Sequence, residues 1–141
     1  MRIPRSDDFA LLVMSELAVS FGKRLESLST IGEKHHISKL FLKKIARTLK
    51  IAGLIKSKEG ADGGYVLAYP PEKITVWDIM QALSAKSYHV PALVISRKAC
   101  PINHHCLPQN IRHTLDQTFA KSLGKVYLSD LVKNEKLYEI H

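Results

Sequence analysis

The chain has 141 residues, 45% of them hydrophobic and 24% charged, with a formal net charge of +8; this composition excludes a disordered chain and suits one ordinary domain with a buried core. No run of 18 apolar residues is present to cross a bilayer, and Asp7 and Asp8 interrupt the stretch where a secretory signal needs an apolar region. Because two cysteines are also too few for a disulfide scaffold, we expect a cytoplasmic protein with no membrane partner.

The first predicted element is a helix over residues 7–21. Its apolar residues recur at helical spacing from Phe9 to Leu17, and Gly22 follows at the point where the pattern stops. After a charged turn, Ser27 is placed to cap a short second helix. Two consecutive helices are therefore predicted in the amino-terminal third of the chain.

A third helix is predicted over residues 39–52. Ser38 precedes it as an N-cap, and Gly53 follows it at a position that favours a left-handed backbone. A short helix, a tight turn and an N-capped longer helix are the pattern of a helix-turn-helix.

The third helix has two faces of opposite character. The predicted core face consists of residues spaced at i, i+3, i+4 and i+7: Leu42, Ile45, Ala46 and Leu49. The predicted outward face is cationic and consists of Lys39, Lys43, Arg47 and Lys50, with Lys44 beside them. A helix that enters the major groove of DNA needs this arrangement, because its exposed face lies between two phosphate chains.

The positive charge is concentrated around this helix. Residues 34–58 contain no acidic residue and eight basic ones: Lys34, Lys39, Lys43, Lys44, Arg47, Lys50, Lys56 and Lys58. The other 13 basic residues equal the 13 acidic ones in number, so this window holds the whole net charge. A neutral body with one basic segment is typical of nucleic-acid binding, and a merely solvated helix face is the alternative.

A β-hairpin is predicted directly after the third helix. Residues 54–58 and 65–68 have strand character and are joined by a glycine-rich turn over 59–64. A hairpin at this place is a wing; a flexible turn is the alternative interpretation of Gly60, Gly63 and Gly64. A phosphate-binding loop of nucleotide enzymes is not expected, because the GxxxxGK[ST] pattern is missing.

Three helices are predicted in the rest of the chain. Thr75 caps one over residues 76–83, residues 84–107 are mostly loop, and helices follow over 109–123 and 128–137. The helix over 109–123 carries an apolar stripe formed by Ile111, Leu115, Phe119 and Leu123. A second copy of this helix is the simplest partner for the stripe, which predicts a homodimer; packing within its own subunit is the alternative.

Five segments at their observed intervals resemble the Rrf2 family of winged-helix transcription regulators, which includes an iron–sulfur cluster regulator, a repressor sensitive to nitric oxide and a repressor of cysteine metabolism. They cover nearly the whole chain: MRIPRSDDFALLVMSELA, ISKLFLKKIARTLKIAGLIKS, GADGGYVLA, EKITVWDIMQAL and YLSDLV. The resemblance implies a mostly α fold with a small β-hairpin wing, namely a winged helix-turn-helix plus a long C-terminal dimerisation helix. It divides the chain into a DNA-binding domain over 1–84, a sensor loop over 85–108, and the dimerisation and C-terminal helices over 109–141.

The same resemblance implies which residues meet DNA. The residues implied in the major groove are Ser38, Lys39, Phe41, Lys43, Lys44 and Arg47, and the cationic face of the third helix adds Lys50. Near the amino terminus, Arg2 and Arg5 are implied to contact the DNA backbone. At the minor groove the wing presents Gly60, Gly63, Gly64 and Tyr65. One position departs from the family pattern, because Glu59 stands where an arginine is usual, which argues against minor-groove recognition by an arginine. Lys58 is the substitute expected to contact the phosphate backbone.

The sensor loop carries two cysteines, Cys100 and Cys106. Family members that bind an iron–sulfur cluster use three evenly spaced cysteines, and Val94 stands at the first of these positions, so a three-cysteine cluster is excluded. His104, His105 and Asp8 are further candidate ligands. Three alternatives remain open: a [2Fe–2S] cluster held by two cysteines with histidine or aspartate, a dithiol switch or zinc site, and a cluster-free loop with another effector or none.

The sequence therefore predicts a dimeric transcription regulator that binds double-stranded DNA sequence-specifically. We expect a repressor in preference to an activator. A winged helix that binds proteins in place of DNA is the first alternative, supported by Glu59 and opposed by the basic window. No enzyme is expected, because the HExxH and GxSxG motifs and the H-x-E…C-x-x-C pattern of zinc deaminases are missing.

Overall fold

The computed structural model describes residues 5–87 and 107–133. Its elements, in chain order, are α1 (Arg5–Val19), α2 (Leu28–His35), α3 (Lys39–Ile51), β1 (Ile55–Lys58), β2 (Gly64–Leu67), a 3-10 turn (Pro71–Lys73), α4 (Val76–Ser87), α5 (Leu107–Leu123) and α6 (Leu128–Lys133). The predicted fold class, mostly α with one small hairpin after the third helix, is confirmed.

The helix-turn-helix formed by α2 and α3 is held by local hydrogen bonds. The Ser27 hydroxyl accepts from the Thr30 backbone N–H at 3.1 Å, and the Ser38 hydroxyl accepts from the Phe41 backbone N–H at 3.4 Å. Both predicted caps are thus formed, and each satisfies an amide that the helix itself leaves without a partner.

The turn between the two helices depends on a glycine that the sequence pattern did not single out. His36 takes a left-handed backbone (φ 55°), and the Ile37 amide donates to the Gly32 carbonyl at 2.9 Å. A Cβ on Gly32 would lie 2.7 Å from the Ile37 carbonyl oxygen. Only glycine therefore lets α2 close this tightly onto the start of α3.

The wing is an antiparallel hairpin in which Ile55 pairs with Leu67 and Lys58 with Gly64. A third backbone segment joins it, because Glu26 and Tyr65 exchange two hydrogen bonds of 3.0 and 2.8 Å. The wing is thereby fixed to the chain that leads into α2.

The core lies between α1, α3 and α4, and all four residues predicted for the inner face of α3 are buried. The α6 helix joins this core: Leu128 is fully buried, its amide donates to the Ile74 carbonyl at 2.8 Å, and the Val76 amide donates to the Val126 carbonyl at 2.9 Å. The last described helix therefore packs on the amino-terminal helices.

Several helix ends differ from the sequence expectation by a few residues. The α1 helix starts and ends two residues earlier than predicted, and α4 continues four residues beyond Leu83 to Ser87, since Ala85 and Lys86 are good helix formers. The cap predicted at Thr75 is present, with its hydroxyl accepting from the Asp78 amide at 3.1 Å. Within 5–87 and 107–133, none of the helices combines the length and the apolar character that crossing a bilayer requires.

Candidate nucleic-acid interface

The outward side of α3 consists of two adjacent strips of exposed residues. One strip holds Lys39, Lys43 and Lys50, and the other holds Leu40, Lys44, Arg47 and Ile51. At 100° per residue the second strip lies directly opposite the buried face, and the first lies on its flank. The outward face therefore contains two large apolar side chains, Leu40 and Ile51, in addition to the predicted cations.

Packing on both sides holds α3 in place. On one side the Phe41 ring meets the Phe9 ring of α1 edge to face, with centroids 5.2 Å apart, so Phe41 is half-buried. On the other side the Lys50 ammonium donates to the Ser57 hydroxyl of β1 at 2.6 Å. The recognition helix is thus tied to both α1 and the wing.

The tip of the wing is exposed and carries mixed charge. Lys58, Glu59, Gly60 and Asp62 are all exposed, so a second carboxylate stands beside the one noted in the sequence. Gly60 has φ +114°, which only glycine adopts easily. Gly63 donates its amide to the Gly60 carbonyl at 3.1 Å.

Two wing residues predicted to approach DNA also have structural contacts. Tyr65 is half-buried against the core while its backbone pairs with Glu26. A Cβ on Gly64 would lie 2.7 Å from the Glu26 carbonyl oxygen. These two residues therefore secure the base of the wing.

One cation of the basic window is neutralised by the fold. The Lys34 ammonium lies 2.8 and 3.0 Å from the two carboxylate oxygens of Glu16, and His35 Nε2 lies 2.6 Å from Oε1 of the same residue. Burial would raise the pKa of Glu16, but the hydrogen bonds from Lys34 and His35 outweigh it and lower that pKa below its ordinary value. Lys34 therefore belongs to the α1–α2 contact, although the sequence window has no acid to pair with it.

Seven exposed cations of the window remain around α3 and β1. They are Lys39, Lys43, Lys44, Arg47, Lys50, Lys56 and Lys58. None of them forms an ion pair within the described part of the chain. We call these seven residues the basic surface; their positive charge suits a polyanion.

Several predicted site residues fall outside the described residues. These are Arg2 and the predicted ligands Cys100, His104, His105 and Cys106. Arg5 begins α1, but its side chain is also outside them. Asp8 is exposed on α1, whereas Asp7 is buried, and this burial raises the pKa of Asp7. No three His, Cys, Asp or Glu side chains in the described ranges are grouped closely enough to hold a metal.

Comparison with known proteins decides the family. A family model described as Rrf2, iron-dependent transcriptional regulator, matches residues 3–134. The chain belongs to the Rrf2 family. Among its relatives is a Neisseria meningitidis serogroup A protein, named as an HTH-type transcriptional regulator, that is 31% identical over 96% of this chain and 90% of its own length. Bacillus subtilis CymR is 39% identical over 59% of this chain and 60% of CymR.

Solved Rrf2 structures have the same fold. The structure of CymR, described as the global cysteine regulator of B. subtilis, matches with a TM-score of 0.71 and 26% identity over 95% of this chain and 98% of CymR. A Staphylococcus aureus CymR structure, described as its oxidised form, matches with a TM-score of 0.68 and 28% identity over 94% of this chain and 96% of its own. This protein is accordingly a DNA-binding transcriptional regulator and not an enzyme.

Proposed function

We propose that this Rrf2 protein is a repressor that binds a pseudo-palindromic DNA site as a homodimer in the cytoplasm. The observation that carries the proposal is the basic surface of seven exposed cations on α3 and β1. The inner side of α3 is buried in the core. The helix is therefore held firmly by the protein, while its outward side is free to enter a groove of DNA.

The cations divide naturally between the groove and its edges. Those at the centre of the outward face, Lys44 and Arg47, point along the direction in which α3 would enter the major groove. We expect the flanking strip, Lys39, Lys43 and Lys50, to contact phosphates together with Lys56 and Lys58. Because phosphate contacts dominate, affinity should fall steeply as salt rises.

The wing should contribute less than the helix. Its exposed tip has Glu59 and Asp62 beside Lys58 and Gly60. Carboxylates next to phosphates are repulsive at short range, since salt screens them only beyond about 8–10 Å. We expect Lys58 and the wing backbone to position the protein without reading bases.

The α5 helix is the proposed dimerisation element. Within the described residues it packs against α4, and Leu115 on its predicted apolar stripe is 50% exposed. A second copy of α5 would cover this residue and place two α3 helices on one DNA molecule, as a pseudo-palindromic site requires.

The first test changes three cations in the middle of α3: Lys44 and Arg47 on the outward strip, and Lys43 on its flank. The triple substitution Lys43→Ala, Lys44→Ala and Arg47→Ala should weaken binding to a DNA site selected by the wild-type protein from random sequences by at least about 100-fold. It should also reduce the salt slope by about one unit for each phosphate that the variant no longer neutralises. Gel shift and fluorescence anisotropy at several salt concentrations measure both quantities.

A matched control separates this effect from net charge. Lys23, Lys73 and Lys125 are exposed elsewhere on the protein, and their triple alanine variant loses the same charge. It should bind within about threefold of wild type, since net charge alone acts mainly through weak, screened fields. Retained affinity in the α3 variant would refute this interface, and a wild-type protein that binds no DNA sequence specifically would favour a winged helix that binds proteins.

We further propose that the loop containing Cys100 and Cys106 carries the signal. Two thiolates, the imidazoles of His104 and His105 and the Asp8 carboxylate fit in kind the mixed ligands that a [2Fe–2S] cluster or zinc accepts. A bound cluster would supply redox and nitric-oxide sensitivity. Zinc, a dithiol switch and a loop with another effector remain the alternatives.

One set of measurements on anaerobically isolated protein decides among these alternatives. Visible absorbance with iron identifies a cluster, and zinc without absorbance identifies a zinc site. If neither metal is present, a loss of two mass units on mild oxidation identifies a Cys100–Cys106 disulfide, and an unchanged mass excludes the switch.

A further inference from the structure

Leu40 is an exposed leucine at the start of the recognition helix. It is the second residue of α3, it is 68% exposed, and it is not among the side chains that pack on the core. We propose that Leu40 is a specificity-determining residue that contacts the C5-methyl group of a thymine in the major groove. This inference rests on the proposed function.

The position of Leu40 directs it toward bases. Recognition helices contact base edges with their amino-terminal residues, and Leu40 lies on the strip opposite the buried face, ahead of Lys44 and Arg47. Its neighbours are engaged elsewhere: the Ser38 hydroxyl caps the helix, and Phe41 packs on Phe9. With Lys39 on the flanking strip, Leu40 is therefore the side chain of the first turn that is free to reach the groove floor.

The chemistry of leucine restricts what it can recognise. Its side chain has no hydrogen-bond donor or acceptor, and the thymine methyl is the apolar group on the major-groove edges of the four bases. Over guanine, adenine or cytosine, the leucine would remove water from a polar edge without replacing the hydrogen bond. Lysines at this surface serve phosphates as readily as guanine, so Leu40 adds discrimination that the cations lack.

Ile51 provides a matched control on the same strip. It is 66% exposed and follows Leu40 by eleven residues, a distance of about 16 Å along the helix axis. At the carboxyl-terminal end of α3 it lies away from the end that enters the groove. Leu40 and Ile51 are thus alike in apolar character and exposure, but only Leu40 lies at the end of α3 that enters the groove.

The experiment removes the thymine C5-methyl from the DNA and, separately, the end of the leucine side chain from the protein. Sites are first selected from random double-stranded DNA by the full-length wild-type protein. Each thymine enriched in the site is then replaced by uracil, which keeps base pairing and removes only the C5-methyl. Affinities are measured for wild type, Leu40→Ala and Ile51→Ala, with circular dichroism and thermal melting to verify folding of these exposed-site variants.

At one pair of positions related by the two-fold symmetry of the site, replacing thymine by uracil should weaken wild-type binding. We expect a loss of about fourfold for each half-site changed, because one apolar carbon is no longer buried. Leu40→Ala should lose this sensitivity, because the alanine methyl is too short to reach, while Ile51→Ala should retain it. The inference is overturned if wild type tolerates uracil at every position, or if Leu40→Ala keeps the wild-type sensitivity. If wild type enriches no sequence at all, the proposed function fails, and the thymine contact with it.

Discussion

Glu16 shows how a single residue changes the meaning of a charge pattern. Along the sequence, Lys34 is one of eight cations in a window, residues 34–58, that contains no acidic residue, but in space Glu16 on α1 holds both Lys34 and His35 on α2. The carboxylate is 18 residues away from Lys34 along the chain, so no local pattern reveals the pairing. Its role is to fix the first helix of the helix-turn-helix against α1.

Replacing this carboxylate tests that role. Glu16→Gln should lower the free energy of unfolding at pH 7 by about 1 kcal/mol or less, because the Lys34 side chain is 60% exposed and the pair is screened by solvent. The pKa of Glu16 is lowered in the folded protein, so its contribution is fully present above the unfolded value near 4.5 and disappears as the pH falls through the lower folded pKa.

Urea titrations of wild type and Glu16→Gln at several pH values provide the measurement. The two stability curves should converge as the pH falls through the lowered pKa of folded Glu16 and should be fully separated above its unfolded value near 4.5. Glu33→Gln, which changes an exposed glutamate on α2, is the control and should not differ from wild type. A constant difference between wild type and Glu16→Gln at all pH values would show that the ion pair contributes nothing.

At the scale of the element, the wing is a three-segment unit instead of an isolated hairpin. The Glu26–Tyr65 backbone pair fixes β2 to the chain that precedes α2, and Gly64 permits the approach. A two-stranded hairpin alone is marginally stable in water. The third segment therefore explains how so short a wing keeps a defined position beside α3.

Gly64→Ala should break this attachment. Its Cβ would meet the backbone of Glu26 at 2.7 Å, and since neither backbone can give way freely, we expect a loss of about 1–3 kcal/mol in the free energy of unfolding. Chemical denaturation measures the loss, and Ala61→Ser, an exposed change in the same turn, should be neutral. If Gly64→Ala has wild-type stability, the wing is held by other contacts.

At the scale of the whole molecule, two neighbouring helices near the carboxyl terminus have different roles. The α6 helix packs on α1 and completes the core around Leu128, whereas α5 leaves Leu115 half-exposed. Because Leu115 stays exposed while α6 is packed into the core, this side of α5 is the apolar contact that we propose for a second copy.

Leu115→Asp should therefore convert the proposed dimer into a monomer. A carboxylate at the centre of an apolar helix pair would be buried without a partner, which is strongly unfavourable. Analytical ultracentrifugation at micromolar concentration should show half the wild-type mass, and affinity for the two-fold DNA site should fall with it. Lys121→Gln, an exposed change on another side of α5, should remain dimeric; a dimeric Leu115→Asp would exclude α5 as the interface.

The amino-acid sequence alone was enough to establish the order of the elements, the caps at Ser27, Ser38 and Thr75, the inner face of α3, the hairpin and the family. These follow from spacing and from side chains that act on their own backbone neighbours, and both are local. The folded structure was needed to show that Glu16 neutralises Lys34, that Gly32 and Gly64 permit close approaches of the backbone, that α6 completes the core, and that Leu40 stands outward among the cations. The Glu16–Lys34 pair, the Gly64–Glu26 approach and the packing of α6 join residues far apart in the chain. The approach at Gly32 depends on the exact geometry of the turn, and the exposure of Leu40 depends on which side of α3 the other elements leave open. A linear pattern does not contain that information.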